Sequence, residues 1–81
     1  MVVRSEDASP CEPVVDAALA LDTGRLRAAL DGSTERLGVE ETIRRAILPA
    51  MREIGVRWKA GRCDVGREHF ATEGVRAWLG R

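Results

Sequence analysis

The sequence predicts an all-α fold, a small antiparallel up-down bundle of four helices. Apolar residues recur at helical steps of three and four, and no segment shows the alternation of a half-buried strand. Short links join the helical segments, which favours packing of consecutive helices as antiparallel neighbours. With 81 residues the chain holds at most one domain, and its core must be modest.

Local signals place the ends of the first two helices. We expect the first over about residues 13–21, because Pro13 suits a first turn, where a missing N–H costs nothing. Asp22 then caps a second helix that runs from Thr23 to about Leu37. Gly32 and the hydroxyl residues after it weaken the middle of this second helix by propensity.

The third helix has the clearest apolar stripe, which consists of Val39, Ile43, Ile47, Ala50, Met51, Ile54 and Trp58. Pro49 lies inside the stripe and should kink the helix or loosen the turn before it. The helix should end near residues 60–61, where glycine permits a left-handed cap. Asp64 then caps a fourth helix, Val65 to about Leu79. The short link makes the third and fourth helices an antiparallel hairpin.

Composition limits the classes of partner and the compartment. Residues 1–9 are polar and are predicted to be a disordered lead-in to a helical bundle over residues 10–81. Lys plus Arg and Asp plus Glu each number 13, and this neutral balance argues against direct contact with nucleic acid. No apolar run could span a membrane and no signal-peptide core is visible, so we expect a cytoplasmic protein. Cys11 and Cys63 should be reduced thiols, and with a single histidine they poorly support a metal site.

The predicted hairpin brings a candidate site to one end of the bundle. Trp58 lies in the last turn of the third helix, and Glu68 and His69 lie about one turn into the fourth, with Val65 one turn below them. Glu68 and His69 are about 100° apart around the helix, so both cannot face the core. An indole beside a carboxylate and an imidazole makes a flat apolar wall with two hydrogen-bonding groups. Such a surface suits a flat, partly polar ligand.

Simpler interpretations of the same residues stay open. Trp58 continues the apolar stripe of the third helix, so a core position is the commoner expectation for it. A lone histidine beside a glutamate is more often a surface pair than a site. Glu68 and His69 could act as base and acid, but no nucleophile, oxyanion site or metal cluster accompanies them. We therefore predict no enzyme, no catalytic residue and no metal ligand in this chain.

Residues 17–79 resemble the helical cap domain that precedes a cobalamin-binding Rossmann-like domain, as in methionine synthase. They are more similar to the cap of MerR-type, cobalamin-dependent, light-responsive transcription regulators, whose signature is a Trp, nine residues and then Glu-His. Here Trp58 is followed by the nine residues 59–67 and then by Glu68 and His69. The flanking stretches "LPAMREIGVRW" and "GRCDVGREHFATEGVRAWL" match the same family.

The resemblance implies a cap over the upper axial face of a corrinoid, either adenosylcobalamin or methylcobalamin. Trp58 would be the apolar wall, Glu68 an acceptor toward an adenosyl group and His69 a polar neighbour over the corrin rim. Val65 would face the same space. Lys59 departs from the family, because some light-responsive members carry at that position a histidine that binds cobalt, and a protonated lysine is a poor metal ligand.

The resemblance also implies a partner, a Rossmann-like cobalamin-binding domain supplied in trans or in a longer parent chain. Its Asp-x-His-x-x-Gly motif, which provides the lower cobalt ligand, does not occur in these 81 residues. Homo-oligomerisation is left open. Two alternatives remain: a degenerate cap that mediates protein interaction or oligomerisation without cofactor, and the cap of a corrinoid methyltransferase protein.

Overall fold

The computed structural model describes residues 9–61 and 64–80 and confirms the predicted small all-α bundle of four helices. Three of them are regular α-helices: α1 (Cys11–Leu19), α2 (Thr23–Leu37) and α4 (Val65–Leu79). The other, α3, is continuous but has three parts: an α-helical Val39–Thr42, a π-helical Ile43–Ile47 and an α-helical Leu48–Lys59. No strand occurs within the described ranges.

The helix caps follow the sequence signals. Asp22 Oδ1 accepts a hydrogen bond of 3.0 Å from the N–H of Arg25, and Asp64 Oδ1 accepts one of 2.9 Å from the N–H of Arg67. Each aspartate satisfies an N–H that the first turn of a helix leaves without a partner. Gly61 has a φ of 78°, which confirms the predicted left-handed end of α3.

The first helix ends earlier than predicted. Its observed bounds are Cys11–Leu19 rather than residues 13–21, because Leu21 adopts a left-handed φ of 55°. The N–H of Asp22 then donates to the carbonyl of Ala17 at 3.0 Å, which closes α1 with a Schellman motif. The chain must reverse at this point because Asp22 needs an extended backbone to cap α2.

Pro49 widens the helix before it, as predicted. Proline has no N–H and its ring crowds the carbonyl four residues earlier, so a regular α-helical turn is unfavourable there. The turn Ile43–Ile47 is instead π-helical, and the N–H of Leu48 donates to the carbonyl of Ile43, five residues back. The helix continues through Pro49 without a break.

The core is aliphatic and draws on all four helices. Its buried residues are Val14, Val15, Ala17, Ala18, Leu26, Leu30, Ala46, Ile47, Ala50, Ile54, Ala71 and Val75. The predicted stripe of α3 is wrong at its two ends, since Val39 is 53% exposed and Trp58 is 48% exposed. Val39 is the first residue of α3, and Trp58 lies one turn beyond Ile54, the last buried residue of α3.

A small polar cluster lies between α2 and α3 inside the core. Thr42 Oγ1 donates to Ser33 Oγ at 3.0 Å, and both side chains are buried. Thr34 Oγ1 donates to the carbonyl of Leu30 at 2.8 Å. Because these hydroxyls find partners, α2 continues through its weak middle to Leu37.

The predictions made for residues 1–8 and for Cys63 concern residues outside the part of the chain that the structure describes. Of the predicted disordered lead-in, residues 1–9, only Ser9 is described. The carbonyl of Ser9 accepts from the N–H of Glu12 at 3.1 Å, at the start of α1. Across residues 9–61 and 64–80, no helix combines the length and apolar composition that a membrane crossing requires.

Candidate functional site

Trp58 is not a core residue. It lies in the last turn of α3 with 48% of its surface exposed, although Ile54, one turn earlier, is fully buried. Val65, the first residue of α4, is 63% exposed. Two apolar side chains therefore flank the short link between α3 and α4 and face solvent.

Glu68 lies on the side of α4 that faces α3. Its side chain is half-buried, and the hydroxyl of Thr72 lies 3.3 Å from Glu68 Oε2. Thr72 also lines a shallow groove of about 440 Å³, together with Met51 of α3 and Val75 and Leu79 of α4. The carboxylate of Glu68 is therefore bonded to a residue that lines the groove, although Glu68 is not itself one of the lining residues.

His69 lies on a different side of α4. It is exposed and lines a second groove of about 550 Å³, together with Leu21, Phe70 and Gly74. The prediction that Glu68 and His69 cannot both face the core is confirmed, since neither is fully buried. The helical rotation of about 100° per residue turns the imidazole away from the groove that Thr72 lines. The structure thus separates the two polar groups of the predicted site.

The first turn of α4 is anchored to the end of α1. Arg67 Nε donates to the carbonyl of Leu19 at 2.7 Å, and Arg67 Nη1 donates to Asp64 Oδ2 at 2.9 Å. The Asp64 contact is a largely exposed ion pair within the first turn of α4, whereas the bond to Leu19 links two helices distant in sequence. This bond fixes the position of Val65, Glu68 and His69 relative to the rest of the bundle.

Some residues of the α3–α4 groove were not predicted as site residues. Met51 was assigned to the core stripe, although it lies seven residues, or about two turns, before Trp58 and so on the same face. Thr72 lies four residues after Glu68, which is the spacing of neighbours on one helix face. These two spacings were the signals that could have placed both residues in the groove.

The predicted site offers apolar surface and a hydrogen-bond acceptor. Within residues 9–61 and 64–80, no group of three or more His, Cys, Asp or Glu side chains could hold a metal ion. The described side chains can pack against an apolar surface through Trp58 and Val65 and accept hydrogen bonds through Glu68.

Comparison with known proteins adds one finding. The family model for the B12 binding domain matches residues 11–81, a span that includes all four helices and every predicted site residue. No curated protein matches the chain significantly.

Proposed function

The chain belongs to the B12 binding domain family, and we propose that it acts as a cap over the upper axial face of a corrinoid. The observation that carries this proposal is the half-exposed indole of Trp58 at the linked end of the α3–α4 hairpin. Burying a tryptophan is strongly favourable, so leaving one exposed in so small a domain is best explained by a ligand or partner that covers it.

The side chains present fit a corrinoid with a polar upper ligand. Trp58 and Val65 supply apolar surface for the ligand, and the groove between α3 and α4 is lined mainly by apolar side chains. Glu68 supplies a hydrogen-bond acceptor, and its carboxylate is bonded to Thr72, which lines that groove. When bound, cobalamin contributes a cobalt–carbon bond to its upper axial group, which such a cap would shield from water.

In this proposal the four predicted residues have different roles. Trp58 forms the apolar wall against the upper ligand, and Val65 faces the same space. Glu68 accepts a hydrogen bond from an adenosyl group, whereas a methyl group has no donor to offer it. His69 lies toward the second groove, so its role is that of a polar neighbour over the corrin rim rather than a second group on the upper ligand.

The partner in this proposal is a Rossmann-like cobalamin-binding domain, in trans or in a longer parent chain. We further propose a cobalamin-dependent, light-responsive transcription regulator of the MerR type as the parent system, on the basis of the spacing from Trp58 to Glu68 and His69. Because Lys59 follows Trp58, we do not propose a second cobalt ligand from that position.

A second candidate function is a protein-interaction or oligomerisation module that has lost its cofactor. The exposed apolar side chains of Leu48, Trp58, Val65 and Leu79 favour it, since such surface also suits a partner helix. The cap of a corrinoid methyltransferase protein is a third arrangement, in which the same face would cover a methyl ligand.

The test is retention of adenosylcobalamin in the dark by the full chain, with and without an added Rossmann-like domain, followed by visible absorption. We expect Trp58→Ala to weaken retention roughly tenfold, which corresponds to about 1.4 kcal/mol. Val39→Ala is the matched control, because Val39 is also an exposed apolar residue of α3 but lies at the opposite end. Equal retention by the wild type and Trp58→Ala would contradict the cap assignment.

Illumination of the same samples separates the remaining arrangements. A spectral change on illumination of the adenosylcobalamin complex supports the light-responsive system. Absence of retained colour in both conditions, together with self-association that Trp58→Ala disrupts, supports the interaction module instead.

A further inference from the structure

The hydroxyl of Thr72 makes two contacts with the same residue. Thr72 Oγ1 lies 3.1 Å from the backbone carbonyl of Glu68 and 3.3 Å from its carboxylate Oε2. A hydroxyl has one proton to donate, so this proton is shared between the two acceptors. Both side chains are half-buried.

The bond to the carbonyl is ordinary, but the bond to the carboxylate is not required by the helix. Threonines within helices commonly donate to the carbonyl four residues back, and Thr34 does so to Leu30 at 2.8 Å. A glutamate in the first turns of a helix can instead extend its carboxylate into water. Holding it against Thr72 restricts a side chain that otherwise samples many rotamers.

Thr72 is well placed to direct the carboxylate. It lines the α3–α4 groove with Met51 and Val75, and the carboxylate that it bonds belongs to the residue one turn nearer the start of α4. Within residues 9–61 and 64–80, Thr72 is the only side chain that donates to the Glu68 carboxylate. The other oxygen, Oε1, retains its acceptor capacity for a ligand.

We propose that Thr72 is a positioning residue that holds the Glu68 carboxylate in one orientation and so favours corrinoids whose upper ligand donates a hydrogen bond. This inference rests on the proposed function of the chain as a cap. The ligand class it selects is one that carries a hydroxyl or amine on the upper axial group, such as adenosyl, over one that carries methyl.

The first experiment measures the ratio of dissociation constants for methylcobalamin and adenosylcobalamin, in the dark, with the Rossmann-like domain present. We expect Thr72→Val to lower the preference for adenosylcobalamin roughly threefold or more, because the hydroxyl is lost while the shape is kept. Thr72→Ser restores the hydroxyl and should restore the ratio. A general loss of stability would weaken the binding of both cobalamins alike and leave the ratio of their dissociation constants unchanged.

Thr34→Val is the matched control, because Thr34 has the same bond to a carbonyl four residues back but no contact with a carboxylate. It should leave the ratio unchanged. Glu68→Gln keeps the shape of the side chain and removes its charge, so it reports how much of the preference passes through the carboxylate.

The second experiment needs no ligand. In the wild type, the NMR couplings between Hα and the two Hβ protons of Glu68 should be unequal, as expected for one dominant rotamer. They should average in Thr72→Val and separate again in Thr72→Ser. Averaged couplings in the wild type would overturn the inference.

The outcomes distinguish the inference from the function on which it rests. Retention of adenosylcobalamin by the wild type with an unchanged ratio in Thr72→Val overturns the positioning role and leaves the cap assignment intact. Failure of the wild type to retain either cobalamin with the partner domain overturns both.

Discussion

The indole N–H of Trp78 donates a hydrogen bond of 2.9 Å to Oδ1 of Asp31, and this bond joins α4 to α2. Trp78 packs half-buried against the core, whereas Trp58, at the other end of the α3–α4 hairpin, is 48% exposed. The two tryptophans of the chain therefore differ in role. One stabilises the bundle and the other is available to a ligand or partner.

This difference predicts that the same conservative substitution lowers stability at one tryptophan and leaves it nearly unchanged at the other. Trp78→Phe should lower the free energy of unfolding by about 1–2 kcal/mol, because it removes a donor to a carboxylate. Trp58→Phe should change it by no more than ~0.5 kcal/mol, since the side chain lies outside the core. Urea unfolding followed by circular dichroism measures both. Equal losses in the two variants would show that Trp58 also supports the fold.

The buried hydroxyls of Ser33 and Thr42 should be strongly coupled. Thr42→Val should cost about 1–3 kcal/mol, because it leaves the Ser33 hydroxyl without its donor in a site from which water is excluded. Removing both hydroxyls, with Ser33→Ala and Thr42→Val together, should cost less than the sum of the two single changes. A double-mutant cycle of urea unfolding provides the comparison, and simple additivity would argue against the bond.

Gly74 is a poor helix former, but its lack of a side chain leaves room for Leu26. A Cβ at this position would overlap the Cδ2 methyl of Leu26, so this buried side chain would have to move. Gly74→Ala should therefore destabilise the fold, although alanine normally favours a helix by roughly 0.5–1 kcal/mol over glycine. Gly55→Ala is the control, since a Cβ there meets nothing within 4 Å, and it should stabilise the fold. Thermal unfolding of both variants tests this contrast. A higher melting temperature in both variants would contradict the packing role of Gly74.

Leu21 carries backbone strain at the turn between α1 and α2. A left-handed φ of 55° costs a leucine about 1–2 kcal/mol, and glycine adopts it freely. Glycine also raises the entropy of the unfolded chain, which offsets part of this gain. Leu21→Gly should therefore raise the free energy of unfolding by roughly 0.5 kcal/mol. The neighbouring Ala20→Gly, at a residue with a right-handed backbone, should lose stability instead. The denaturation midpoints of the two variants should therefore move in opposite directions.

Local signals were sufficient for most of the fold. The caps Asp22 and Asp64 and the left-handed Gly61 depend on residues within one turn, so their effects follow from the neighbouring sequence. Pro49 disturbs the turn before it through its own ring and missing N–H. The end of α1 at Leu19 was misplaced, because Leu21 is a residue type that rarely takes the left-handed conformation that stops a helix.

The candidate site could be predicted only in part. The spacing from Trp58 to Glu68 and His69 identified the region, and a hairpin geometry placed the three at one end. The sequence pattern did not show that His69 lines a separate groove, or that the hydroxyl of Thr72 is bonded to the carboxylate of Glu68. Helical periodicity gives the angle between two side chains, but the packing of the helices decides which side chain meets which neighbour.

The sequence by itself thus determined an all-α bundle of four helices, with most of their ends, and a resemblance to cobalamin-binding cap domains. Only the tertiary structure decided that Trp58 is exposed, and that the start of α4 is tied to α1 through Arg67 and Leu19, 48 residues apart. The physical reason is the range of the interactions. Helix formation and capping depend on residues a few positions apart, whereas exposure and groove shape depend on contacts between segments distant in the chain.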